Sequence, residues 1–235
     1  MIRVCVAGIT GWVGVPLARA IASAEDMTLV AGVARSGGEV DGIRIFPSVS
    51  SVLSAPSAAF DVMVDYTSAH AVAENVRQAV KGGRHVVVGS SGMTDAEYSE
   101  VAALARERDV GVIAGGNFSL SAALLQRFAV EAARYFPHVE VVDTAHHDKI
   151  DAPSGTAREL AWRLGQVTGS PPPVHSIRLH GYTIGVEALF GAPSERLTLH
   201  YDGGPGAEPY IAGTLLAIRR VSGVRGVIRG FDQIL

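Results

Sequence analysis

The sequence predicts an α/β protein, with a doubly wound parallel sheet followed by a second, α+β domain whose sheet is mostly antiparallel. Three observations carry this expectation. Short apolar runs alternate with helical patterns from residue 1 to about residue 115. A Gly-rich turn, Gly8-Ile-Thr-Gly11-Trp-Val-Gly14, separates the first run from the first helical pattern. After Pro137 the alternation weakens, and strands of alternating polarity take its place.

The elements follow in order. Ile2 to Ala7 is rich in β-branched residues and reads as a buried strand. Val15 to Ala24 reads as a helix. Between them Gly8 permits a tight turn, Gly11 lets a pyrophosphate approach the backbone, and Gly14 lets helix and strand pack closely. The spacing is G-x-x-G-x-x-G, not the common G-x-G-x-x-G, but its context is that of a Rossmann-like dinucleotide site. A ligand-free tight turn is the alternative. Met27 to Val33 is a second strand, ending in Ala34-Arg35-Ser36. No acid stands at that tip until Glu39, so Arg35 and Ser36 favour a 2′-phosphate, and NADP over NAD.

Phe60 to Asp65, His85 to Val88 and Val110 to Ala114 read as further strands. They end in small turns at Tyr66-Thr67-Ser68, Gly89 to Gly92 and Gly115 to Ser119. His70 to Lys81 and a segment capped by Thr94 and running to Arg108 are helical. Leu120 to Phe136 is a long helix ended by Pro137. Strands are expected at Val139 to Thr144, Ser176 to Leu179, Thr183 to Leu189 and Arg196 to His200. A last helix spans Tyr210 to Val221, and a short strand Gly226 to Ile228.

The chemistry concentrates in His146-His-Asp-Lys-Ile-Asp-Ala-Pro-Ser-Gly-Thr156. Two imidazoles and an ammonium fall within four residues, and a helical pattern follows from Ala157 to Leu164. Ser154 is the expected N-cap, which leaves the amides of Gly155 and Thr156 in the first turn. Such a helix start suits a carboxylate or phosphate, and Lys149 adds a full charge. The reading is a pocket for a small anion with His and Lys as proton donors. A bland surface loop is the alternative. Zinc is another, but no His-Glu-x-x-His or paired cysteine accompanies the histidines, so no metal is expected.

Composition limits the rest. A net charge of -3 gives no general attraction to nucleic acid, so anion recognition must be local. No apolar run has membrane-spanning length, and no signal-peptide pattern opens the chain. The single Cys5 permits no internal disulfide, which fits a reducing, cytoplasmic setting.

With these pieces placed, the chain resembles the 4-hydroxy-tetrahydrodipicolinate (dihydrodipicolinate) reductases of lysine biosynthesis. The likeness rests on the Gly8/Gly11/Gly14 turn, Asp65-Tyr-Thr, Val88-Gly-Ser-Ser-Gly92, Gly116-Asn-Phe-Ser119, Lys149-Ile-Asp-Ala-Pro-Ser-Gly-Thr156 and Leu179-His-Gly through Glu187-Ala-Leu-Phe-Gly191. It implies an NADPH-dependent enzyme, with NADH also accepted, acting on a cyclic dicarboxylate imine, and a homotetramer. It implies a dinucleotide-binding domain at 1–116 and 211–235, and a substrate-binding and oligomerisation domain at 117–210. Lys149 and His146 become the catalytic pair. His147, Ser154, Gly155 and Thr156 become substrate contacts. Gly8, Ile9, Thr10, Gly11, Trp12, Val13, Arg35, Thr67, Gly89, Ser90, Ser91, Gly116, Asn117 and Phe118 become coenzyme contacts.

The chain departs from the family in three places. The family sets two residues between its histidine pair and its lysine, where this chain has only Asp148. Either one residue is deleted and His146 and His147 keep the family roles, or Ala145 holds the acid position and His146 the substrate-binding one. Trp12 stands where many members carry a basic residue, and the loop at 165–175 is short. A reductase of another imine or unsaturated acid, or a catalytically inactive dinucleotide sensor, are the rival functions.

Overall fold

The computed structural model describes residues 1–235 and divides into two compact units, Met1–Phe118 with Tyr210–Leu235, and Ser119–Pro209. The first is built on β1 (Ile2–Ala7), α1 (Gly14–Ala22), β2 (Met27–Val33), β3 (Gly38–Val40), β4 (Ile43–Phe46), α2 (Val49–Leu53), β5 (Val62–Asp65), α3 (Val72–Lys81), β6 (His85–Val88), α4 (Asp95–Glu107) and β7 (Gly111–Ala114). Its strands order as β12-β7-β6-β5-β1-β2-β4-β3, where β12 (Gly226–Arg229) follows helix α7 (Glu208–Val221). Every pairing is parallel except β3 with β4.

β1 lies between β2 and β5, so the strand order reverses at its carboxyl end. That reversal is where open α/β sheets carry ligands. The central strands have no polar face. β5 and β7 are buried at all four positions, as a sheet covered on both faces requires. Phe60, Met63, Leu17 and Ile21 are almost wholly enclosed, each worth about 1.5–3 kcal/mol of burial. Thr94 and Glu97 form a reciprocal capping box at the start of α4, as the sequence indicates.

The β3–β4 hairpin and α2 lie where the sequence reading has only a connection. The strands are of three and four residues, and β3 is wholly exposed, so neither presents a hydrophobic period. α2 is announced only by its Ser48 cap, which accepts from Ser51 N–H.

The second unit contains α5 (Leu120–Ala132), β8 (His138–Ala145), α6 (Gly155–Thr168), β9 (Val174–Arg178), β10 (Ile184–Ala192) and β11 (Glu195–Gly203). Its sheet order is β11-β10-β8-β9, antiparallel except for β8 with β9. α5 stops four residues short of Phe136, because Arg134 and Tyr135 bond back three residues and tighten the turn before Pro137. One sheet face carries Val139, Val141, Val186, Ala188 and Phe190, which pack with Leu125, Leu160 and Leu164 of the two helices. The other face is mixed, with Val142, Leu189 and Ile177 beside Glu140, Glu187 and Thr198. On it His200 lies between Glu187 at 3.0 Å and Asp202 at 2.7 Å.

The Asp202 hydrogen bond is the main cause that raises the His200 pKa above its ordinary value, against a smaller lowering by burial. A raised folded pKa stabilises the protein below the unfolded value, and that stability fades as pH rises through the folded one. His200→Asn should therefore lower stability at about pH 5.5 and leave it unchanged at about pH 9. Denaturant unfolding at the two pH values checks this, and an equal loss at both would refute it.

Candidate active site

In the first unit, the residues expected to hold coenzyme lie on turns at the carboxyl ends of β1, β2, β5, β6 and β7. Gly8 sits at φ +83°, and a Cβ there would lie 2.2 Å from Tyr66 O. A Cβ on Gly14 would lie 2.0 Å from Gly8 O, so the helix start is drawn hard against the turn. Gly11 N–H donates to Gly8 O at 2.8 Å. α1 opens at Val13 with no side-chain cap, and Val15 N–H donates back to Gly11 O at 3.1 Å. Ile9 and Val13 are buried, and Ile9 packs on Gly32 of β2, so these two can meet coenzyme only through backbone. Thr10 and Trp12 are exposed, and the Trp12 ring meets Tyr210 edge-on at 5.8 Å. Arg35 is exposed at the tip of β2, in the turn closed by Gly37 N–H to Ala34 O.

A buried carboxylate organises the next two turns. Asp65 is fully enclosed at the end of β5. Its Oδ1 accepts from Thr67 Oγ1 at 2.8 Å, Thr67 N–H at 3.1 Å and Ser90 Oγ at 2.7 Å, and its Oδ2 accepts from Asn75 Nδ2 at 2.9 Å. Thr67 and Ser90 thus turn their hydroxyls inward, while Ser91 stays exposed. A Cβ on Gly89 would strike the Tyr66 ring at 2.2 Å. Gly116 is exposed and Asn117 buried. The Phe118 ring is a core group, 5.2 Å from Phe231 and 6.5 Å from Tyr66, so its backbone is what it can offer a coenzyme.

The second unit repeats the device. Asp143 shares the parity of Val139 and Val141, which puts its carboxylate on the helix-covered face, with no exposure. Its Oδ2 accepts from Ser154 N–H at 2.8 Å, Ser176 Oγ at 3.1 Å and Arg178 Nη2 at 2.7 Å. The same Nη2 donates to Asp151 O at 2.7 Å, and Nη1 to Asp143 O at 3.2 Å. Burial pushes the Asp143 pKa up, but the bonds from Ser154 and Arg178 outweigh it and hold the group below the usual range. The loop that carries Lys149 and the start of α6 is therefore clamped at Asp151 and Ser154. Ser154 is the N-cap that the sequence indicates, its hydroxyl accepting from Ala157 N–H at 3.3 Å. Ser154 and Thr156 are buried, and Gly155 is partly open at the first turn.

Lys149 is half-buried, with Nζ 2.5 Å from Asp151 Oδ1. β8 continues to Ala145, which is fully buried, so the first residue free of the strand is His146. His146 and His147 are both exposed. His146 Nδ1 pairs with Asp148, whose pKa is lowered mainly by that bond. The structure thus brings His146, His147, Lys149 and Ser154–Thr156 onto one loop. Sequence reasoning missed Asp65, Asn75, Asp143 and Arg178. An acid inside an otherwise apolar strand, as in Val141-Val142-Asp143, was the available signal.

Two solved structures share the fold at low sequence identity. GenD2 of gentamicin A biosynthesis, solved in complex with NAD, superposes with a TM-score of 0.71 at 15% identity over 99% of this chain and 90% of its own. An amine dehydrogenase from Mycobacterium smegmatis gives 0.71 at 16% over 98% and 95%. Both share this chain's fold. Models of the dihydrodipicolinate reductase N-terminus and C-terminus match residues 2–118 and 121–235, and the chain belongs to this family. The 4-hydroxy-tetrahydrodipicolinate reductase of Synechococcus elongatus is 35% identical over 270 aligned residues, spanning 100% of this chain and 98% of that one. That of Moorella thermoacetica is 36% identical over 100% and 98%. A dipicolinate-bound dihydrodipicolinate reductase from Paenisporosarcina sp. TG-14 has a TM-score of 0.85 at 28% identity over the whole of both chains.

The clamp yields a test. Arg178→Leu leaves the Asp143 carboxylate enclosed without its cation, and should cost about 3–5 kcal/mol in denaturant unfolding. Adding Asp143→Asn removes the stranded charge and should recover part of that loss. Additive losses would mean the two groups are not coupled.

Proposed function

We propose that the chain reduces 4-hydroxy-tetrahydrodipicolinate to tetrahydrodipicolinate with NADPH, NADH serving less well. The single observation that carries this reading is the clamped loop, which sets a lysine, two histidines and a helix start together in the unit that lacks the Gly turn. The dipicolinate held by the Paenisporosarcina relative supports a planar cyclic dicarboxylate as ligand.

The first unit would hold the coenzyme. The α1 start with Gly8 to Val13 takes the pyrophosphate, Arg35 the 2′-phosphate, and the turns at Thr67, Gly89 to Ser91 and Gly116 to Phe118 the nicotinamide end, largely by backbone. The tight Gly8–Gly14 approach and the uncapped helix fit that group. When bound, the nicotinamide supplies hydride. The second unit would hold substrate. Gly155 and Thr156 receive one carboxylate at the positive end of α6, with Ser154 shaping the turn. His147 grips another. Lys149 offsets negative charge on the substrate, and His146, oriented by Asp148, gives the proton that accompanies the hydride. We place the enzyme in the cytoplasm as a homotetramer. Apolar Val142, Leu189 and Ile177 on the outer face of the second sheet support the assembly, and the single buried thiol supports the reducing compartment.

NADPH oxidation with freshly generated 4-hydroxy-tetrahydrodipicolinate tests the function. Wild type should turn over. Lys149→Ala should lose at least about 100-fold in kcat with NADPH affinity unchanged, and Lys149→Arg should not restore it. Absence of turnover in a wild-type chain that binds both ligands would refute the assignment. Arg35→Ala should weaken NADPH by about 1.5–3 kcal/mol and NADH hardly at all. Equal losses would remove the basis for preferring NADPH.

A further inference from the structure

β9 lies beside β8 on one side and runs parallel to it, while β10 lies on the other side and runs antiparallel. The chain that leaves β9 at Arg178 must therefore cross the carboxyl end of β8 to enter β10 at Ile184. The crossing is Leu179-His180-Gly181-Tyr182-Thr183. It is pinned on both flanks. Leu179 N–H donates to Ala145 O at 3.2 Å, and His146 N–H donates to Thr183 O at 3.3 Å. Gly181, at φ +88°, makes the bend. His180 is thereby set over the start of the His146–Lys149 loop. Its ring stacks on that of His147, with centroids 3.7 Å apart and planes at 34°.

Both residues are exposed, so core packing does not force the stack. The surrounding charges are largely committed elsewhere. Asp148 is engaged by His146 and stands 4.0 Å from His147 Nδ1. Lys149 is engaged by Asp151, Arg178 by Asp143 and Asp151, and Arg158 by Pro153 O. A carboxylate facing the pair can accept an N–H from each ring.

We propose that His180 is a second substrate-carboxylate residue, paired with His147. Each ring donates an N–H to the dicarboxylate. This rests on the reading of the chain as a dicarboxylate imine reductase, and adds a residue to its substrate site.

The experiment is calorimetric titration of pyridine-2,6-dicarboxylate into the full chain saturated with NADPH. His180→Ala should bind about tenfold more weakly, with NADPH affinity unchanged. His180→Phe keeps a stacked ring without an N–H and should be as weak as His180→Ala. Wild-type affinity in His180→Ala would overturn the proposal, and recovery in His180→Phe would overturn it in favour of ring packing alone. Failure of wild type to bind the dicarboxylate at all would overturn the functional reading together with this one.

Discussion

A carboxylate shut away from water must be surrounded by donors, and this constraint shapes both units. Asp65 ends β5 and Asp143 lies near the end of β8, and each is fully enclosed. An unpaired charge there would cost several kcal/mol, so the donors that reach it are held firmly. In the first unit those donors are Thr67, Ser90 and Asn75, which bind the turns after β5 and β6 to one point. In the second they are Ser154, Ser176 and Arg178, which bind the α6 start to β8 and β9. Neither acid is exposed to a ligand. Each fixes the backbone of a turn whose outward groups are the ones that could meet a ligand.

The parts legible in the sequence were those with local physical signals. β2 and β6 fall on the expected residues, because apolar runs bounded by turn residues leave little choice. The Ser154 and Thr94 caps were legible because a hydroxyl before a helical pattern has few other uses. What was not legible depends on long-range pairing. Arg178 lies 35 residues from Asp143, and nothing near either announces the other. His180 gains meaning only when the strand order forces its turn across β8. Ser90 and Thr67 were legible as turn residues, but the inward direction of their hydroxyls follows from Asp65 alone.

The chain achieves this arrangement with fewer residues than its relatives. Its alignment to the Synechococcus enzyme runs over 270 positions for a chain of 235, so that relative carries about 35 residues without a counterpart here. Coverage of both chains is nearly complete, so the difference falls within the fold. The stretch at 165–175 is one such place on family expectation, and a deletion between His147 and Lys149 would be another. β8 runs unbroken to Ala145 in register with both neighbours, so such a deletion would fall on the loop and not on the strand.

A net charge of -3 means that an anionic substrate is not drawn in by the whole molecule, and recognition falls to a few groups. Those groups carry their own counter-ions. His146 is paired with Asp148, and Lys149 with Asp151. A loop of uncompensated cations would repel itself, and these acids remove that repulsion while the site is free. In the proposed site they would also make binding an exchange, since a substrate carboxylate would compete with a carboxylate already in place. A monoanion would gain little from such an exchange. A rigid dianion would engage the imidazoles and the α6 start at once, so the internal counter-ions would sharpen selection by charge number where the sequence around Lys149 otherwise offers only attraction.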